Sequence, residues 1–141
     1  MWISSHEAEW NGRRALHWVV HEIGDDRHML GYAGLNQIDI NRHQGELRFW
    51  VGCGTERFVC AVEWSEAIVS HAMSALGLTR VYALQLARHR LAGRVLATIG
   101  MRRDGLLRKR VDTEGLLEDL CCWSKCSSEA QITDSQRVET A

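Results

Sequence analysis

Glu46-Leu47-Arg48-Phe49-Trp50-Val51-Gly52 is the stretch on which the fold turns. Leu47, Phe49 and Val51 alternate with Glu46, Arg48 and Trp50, the period of a strand. A short loop, Gly52-Cys53-Gly54-Thr55-Glu56-Arg57, follows. From about Ala61 the period becomes helical, with Ala61, Trp64, Ile68, Ala72 and Ala75-Leu76 on one face. This junction divides a run of strands from an alternation of helices and strands.

Upstream, Asn41-Arg42-His43-Gln44-Gly45 is a polar turn, and Met29 to Ile40 reads as a strand. Its glycines, Gly31 and Gly34, point to a bulge or a close backbone approach. Gly24-Asp25-Asp26 is the next turn back, and Ala15 to Ile23 is a β-rich run containing Trp18, Val19, Val20 and Ile23. Three strands on short turns make an antiparallel meander. Ser4 to Asn11 reads as a short helix, capped by Ser4 or Ser5, with Glu7 and Glu9 near its start and Gly12 at its end. Downstream, Gly77 closes the first long helix and Leu78 to Leu86 is a strand. Leu91 to Ile99 is a helix closed by Gly100. Met101 to Arg110 and Leu117 to Cys126 form a hairpin about Asp112-Thr113-Glu114-Gly115. A meander that passes into a β-α-β-α-β order predicts an α/β (α+β) fold, a mixed and mostly antiparallel sheet with helices on both faces. Residues 1–126 read as one domain and residues 127–141 as a disordered tail.

The bulk properties fit such a domain. The chain has 141 residues, 45% of them apolar and 25% charged. At that length it buries roughly two thirds of its unfolded surface, so its core needs no metal or disulfide. Seventeen Lys and Arg against 18 Asp and Glu give a net charge of -1, which argues against a general nucleic-acid binder. No apolar run approaches the roughly 20 residues of a membrane span, and the first residues have no signal-peptide pattern. The expected location is the cytoplasm. The five cysteines, Cys53, Cys60, Cys121, Cys122 and Cys126, have no zinc spacing and read as reduced thiols, so no metal is expected.

Six sequence words, in this order, resemble the GNAT superfamily of acyl-CoA N-acyltransferases, and most of all its ribosomal-protein-alanine acetyltransferase branch. They are Leu30-Gly31-Tyr32-Ala33-Gly34-Leu35, then Glu46 to Gly52, and Ala75-Leu76-Gly77-Leu78-Thr79-Arg80-Val81-Tyr82-Ala83. The others are Leu91 to Met101, Gly105-Leu106-Leu107-Arg108-Lys109-Arg110 and Glu118-Asp119-Leu120-Cys121-Cys122-Trp123. The resemblance covers roughly residues 8 to 126. It implies an acetyl-CoA-dependent transfer to a primary amine, either a protein N-terminus or a small amine. Relative to that family the chain starts late, without the usual opening strand and helix. Its pyrophosphate loop also departs: in Glu56-Arg57-Phe58-Val59-Cys60-Ala61-Val62-Glu63 the family's central glycine is Val59, and Glu56 replaces a basic or amide residue. A β-branched residue resists the positive φ that glycine permits there.

The resemblance implies cofactor contacts from Trp50, Val51 and Gly52, whose backbone would polarise the thioester carbonyl, and from Arg57, Phe58, Val59, Cys60, Ala61 and Val62 at the loop and helix start. His89, standing where the family has an asparagine, and Arg94 complete the set. His89 is also a candidate proton donor, because histidine exchanges protons near neutral pH. Arg57 is placed to replace part of the lost loop by binding phosphate directly. Asp39 and Glu46 are the candidate general bases, each with a structural alternative: a turn carboxylate for Asp39, and a strand carboxylate for Glu46. Arg102, Arg103, Arg108, Lys109 and Arg110 form a basic cluster, read as a solvated strand face or as a landing strip for an acidic group. The second functional reading is a non-catalytic domain of the same fold that has lost its cofactor. A homodimer is expected, because the Ala15 to Ile23 strand would have a bare apolar edge and because Trp2, Trp10 and Trp18 crowd the first 18 residues.

Overall fold

A computed structural model of the chain describes residues 2–5, 15–52 and 57–127. Seven strands and two helices run in the order β1 (Trp2–Ser5), β2 (Leu16–Glu22), β3 (Asp25–Asp39), β4 (Gln44–Val51), α1 (Arg57–Ser74), β5 (Arg80–Leu86), α2 (Arg90–Thr98), β6 (Arg102–Thr113) and β7 (Leu116–Cys126). They form one sheet, ordered β1-β2-β3-β4-β5-β7-β6. Every pairing is antiparallel except β4 with β5. The mixed, mostly antiparallel sheet read from the sequence is the one observed.

Three boundaries move. Ser4 and Ser5 are strand, not the start of a helix: Ser4 pairs with Val19 and Ser5 with Trp18. Residues 6–11 of the expected helix lie outside the described residues. The outer edge of β2 is therefore occupied by β1 and is not bare. The α1 helix starts at Arg57 rather than near Ala61, because Arg57 to Cys60 form its first turn. The β3 strand begins at Asp25, since Gly24 takes a φ of +89° and turns the chain in a tighter hairpin than Gly24-Asp25-Asp26 suggested. Most of the expected tail, residues 128–141, lies outside the described residues.

The two described helices contact each other and pack on the same sheet face, although the sequence pattern predicts helices on both faces; there Leu47, Val81 and Ala83 meet Trp64, Ile68 and Leu96. Gly31 makes that contact possible. A Cβ there would stand 2.4 Å from the Trp64 ring and from the Trp50 carbonyl oxygen. The other sheet face carries Asn36, Glu46 and Tyr82 in one row across β3, β4 and β5.

Candidate active site

The site is a split in the sheet. The β4 and β5 strands share three parallel pairs, Gln44 with Arg80, Gly45 with Val81 and Glu46 with Tyr82, and then diverge. The β4 strand stays bound to β3 as far as Val51 opposite Gly31, and β5 stays bound to β7 along its whole length. Each half of the sheet keeps its own outer partner, so beyond Glu46 and Tyr82 the facing edges of β4 and β5 are no longer paired with each other. A cleft of about 380 Å³ occupies it, lined among others by Glu46, Phe49, Gln85, His89, Ala92 and Leu96.

The ladder fixes which backbone groups enter this cleft. The Gly52 N–H donates to the Leu30 carbonyl at 2.9 Å. Antiparallel pairs alternate, so Glu46, Arg48 and Trp50 also direct their N–H groups toward β3. Leu47, Phe49 and Val51 direct theirs the other way, Leu47 to its last ladder partner, Tyr82, and Phe49 and Val51 toward the split. Of the three backbone donors expected from sequence, Trp50, Val51 and Gly52, only Val51 points its N–H to that side. Phe49 does so as well. Strand alternation alone could not show which residue parity points toward β3.

Glu46 lies at the vertex with its side chain only 5% exposed. Arg48, two residues on and on the same sheet face, grips it with two hydrogen bonds: Nε to Oε1 at 2.9 Å and Nη2 to Oε2 at 3.0 Å. That contact holds the guanidinium's pKa above its ordinary value. Tyr82 stands opposite Glu46 on β5, and burial, reinforced by the Glu46 carboxylate, raises its phenol pKa. Arg48 and Tyr82 were not singled out in the sequence, although Arg48 follows Glu46 at the spacing that puts both on one strand face.

His89 precedes α2 and makes no side-chain cap. Its carbonyl accepts from Gln85 Nε2 at 2.8 Å, while Gln85 Oε1 accepts from Trp123 Nε1 at 2.8 Å. This relay ties β7, β5 and the start of α2 together at the cleft wall. A Cβ at Gly93 would meet the Gln85 amide at 3.0 Å. That Gly93 clears space for an amide could not be read without the partner.

Asp39 lies apart from these groups. Its Oδ1 accepts the Arg42 N–H at 3.0 Å, closing the β3–β4 turn. It lines a second, larger cavity of about 910 Å³, to which Arg48 and Tyr82 also contribute. Gln37, with a φ of +50°, lies in the break of the β3 ladder between Asn36 and Asp39, beside this cavity.

At the start of α1, Val59 is helical and its side chain is 64% exposed, so it needs no positive φ and its methyls point to solvent. Arg57 is exposed, Phe58 and Val62 are half-buried, and Cys60 and Ala61 face the core. The Arg94 guanidinium stacks 4.8 Å from the Phe58 ring centroid, which brings a cation from α2 to the start of α1. The first turn holds no acidic residue. The positive end of the helix dipole and these arginines suit an anionic group. The cleft, the inward N–H row and this cationic end together fit an extended acyl-CoA. Glu56 lies outside the described residues. Among the described residues there is no cluster of three or more His, Cys, Asp or Glu able to hold a metal ion, and no helix is long and apolar enough to cross a membrane.

Known proteins share this fold. The Acetyltransferase (GNAT) domain family matches residues 1–102. An uncharacterized N-acetyltransferase of Bacillus subtilis (strain 168), YoaA, is 25% identical over 122 residues, covering 86% of this chain and 68% of its own. Among solved structures, a spermidine N-acetyltransferase SpeG mutant from Vibrio cholerae superposes with a TM-score of 0.76 at 14% identity, over 86% of this chain and 71% of its own. The ribosomal-protein-S5-alanine acetyltransferase of Vibrio fischeri gives 0.74 at 20% identity, over 84% and 64%. These two likenesses concern the fold. With its family match over residues 1–102 and its split sheet, the chain belongs to the GNAT acetyltransferase family.

Proposed function

We propose that the protein transfers an acetyl group from acetyl-CoA directly to a primary amine, carried by a protein N-terminus or a small molecule. The carrying observation is the split between β4 and β5, with inward N–H groups at Phe49 and Val51 and the Glu46 carboxylate at its vertex. Acetyl-CoA, when bound, supplies the acetyl group as a thioester. Arg57 and Arg94 hold its phosphates, and His89 and the β4 edge line the channel for its arm. The β4 N–H row stabilises negative charge developing on a carbonyl oxygen. The amine nitrogen gains the acetyl carbon as the carbon–sulfur bond breaks, and it loses one proton. Glu46 takes that proton through water, with Arg48 fixing the carboxylate's orientation. His89 is the proton donor on the other wall. The location is proposed to be the cytoplasm, and the working unit a homodimer.

Isothermal titration with acetyl-CoA tests the reading. Saturable binding supports it. No binding at millimolar ligand overturns it and favours the non-catalytic reading.

A further inference from the structure

Two cavities meet at one ion pair. The thioester cleft is lined by Glu46 and Arg48, and the larger 910 Å³ cavity by Arg48 and Tyr82. The Glu46–Arg48 pair therefore stands at the boundary between the acyl side and a chamber large enough for a second substrate. The chemistry of that chamber is specific. Its charged lining consists of Arg42, Arg48 and a single carboxylate, Asp39. Both carboxylates within reach are already engaged, Asp39 by the Arg42 N–H and Glu46 by the Arg48 fork. The remaining polar lining is four side-chain amides, Asn36, Gln37, Asn41 and Gln44, with the Tyr82 phenol. The Asn36 Nδ2 is buried and has no acceptor. Arg48 spends Nε and Nη2 on Glu46, and its guanidinium has five N–H donors in all, so Nη1 retains its own. Its side chain is 56% exposed.

A polycation has little to gain in such a chamber. It would face two guanidiniums and carries no oxygen for the N–H groups that Arg48 keeps. An amine with a carbonyl or carboxylate oxygen close by gains an acceptor for Arg48 while its nitrogen approaches Glu46. We propose that this chamber is the acceptor site and that Arg48 selects α-amino substrates, a peptide N-terminus or a free amino acid, against polyamines. The inference rests on the acetyltransferase reading above and names the substrate class of the same site. Arg48 has two roles in it: orienting the Glu46 carboxylate and binding the oxygen next to the reacting amine.

The test is acceptor-dependent release of CoA thiol from acetyl-CoA, with acetyl-CoA binding measured separately by titration. The acceptors are a short peptide with a free N-terminus, the same peptide with its N-terminus blocked and no lysine, free alanine, and spermidine. The free peptide or alanine is expected to give the highest kcat/KM, and which of the two leads tells the source of the amine. Arg48→Gln is expected to raise the KM of the preferred α-amine by about tenfold or more, the loss of one charge-assisted contact. Its acetyl-CoA affinity should hold within about threefold, well short of the tenfold that such a contact carries. The same change costs every acceptor the orientation of Glu46 but takes a guanidinium out of the chamber, so spermidine should lose less kcat/KM than the α-amine does. Arg48→Lys keeps the charge but loses the fork, and should lie between the two. Preference of the wild-type protein for spermidine, or an Arg48→Gln variant whose losses fall equally on all acceptors, would overturn this inference while leaving the acetyltransferase reading intact. Failure to bind acetyl-CoA overturns both.

Discussion

Glu46 is where folding and chemistry compete. A carboxylate 5% exposed costs several kcal/mol unless it is paired, and Arg48 supplies the pair. Glu46→Gln keeps the shape and removes the proton acceptor, so acetyl transfer should fall by about 10²–10⁴-fold, the usual contribution of a positioned base. Steady-state rates with acetyl-CoA in saturating amount check this, and retention of more than half the activity would exclude Glu46 as the base. Tyr82 carries a pH prediction. Burial raises its folded phenol pKa above the unfolded value of about 10. The stability it contributes is therefore complete below about pH 10 and is lost as pH rises through the folded value. Urea unfolding between about pH 9 and 12 should show the wild-type protein losing stability more steeply than Tyr82→Phe. Equal slopes would reject the assignment. Gly31 gives a third. Gly31→Ala drives a methyl into Trp64 and should destabilise by about 1–3 kcal/mol, measured as a lower urea midpoint. Glycine's meaning here was legible, because a glycine in a strand run points to a close approach. The place of Tyr82 opposite Glu46 was not. It depends on which strand lies beside β4, and no local pattern records that, whereas the i, i+2 spacing of Arg48 did put it on the Glu46 face.

Among the elements, the strand-to-helix switch between Val51 and Ala61 was readable because the hydrophobic period itself changes. The first turn of α1 was hidden. Arg57 to Cys60 contain no cap residue or glycine to mark a helix start, and the missing family glycine suggested a loop. The structure resolves that tension: Val59 is simply helical. In the proposed function the loop's grip passes to a meeting of two helices, where Arg94 of α2 reaches α1 through Phe58. If this end holds the diphosphate, Arg57→Ala and Arg94→Ala should each weaken acetyl-CoA binding by about tenfold to a hundredfold, the worth of one charge-assisted contact. Phe58→Ala should act like a weaker Arg94→Ala, because it removes only the surface that orients the guanidinium. Isothermal titration separates these cases. Unchanged affinity in both arginine variants would place the phosphates elsewhere. Val59→Gly should now cost helix stability, on the order of 0.5–1 kcal/mol, and leave affinity unchanged, because no Cβ obstructs the site.

For the whole molecule, the sheet has two outer strands, and they decide how a homodimer can form. The sequence pointed to the edge of the Ala15 to Ile23 strand, but β1 covers it, so that route is closed. The outer strands are β1 and β6, and of these β6 presents Arg102 to Arg110, all exposed. Its ladder with β7 is interrupted between Arg103 and Gly105 and again between Leu107 and Val111, and Lys109 takes a φ of +47°. Bulges and edge cations of this kind discourage strand addition. Leu106 and Leu107, 42% and 44% exposed, favour it. A β6-to-β6 contact would bring the Arg108-Lys109-Arg110 clusters of two copies together, so its strength should depend on screening. The Debye length falls from about 10 Å at 0.1 M salt to about 3 Å at 1 M. Light scattering should then show a mass that rises toward two chains with protein concentration, and more readily at high salt. Arg108→Glu and Arg110→Glu should reverse part of the salt dependence by letting opposite charges pair. A one-chain mass at every concentration would reject the dimer, and a two-chain mass indifferent to salt and to both substitutions would place its contact away from β6.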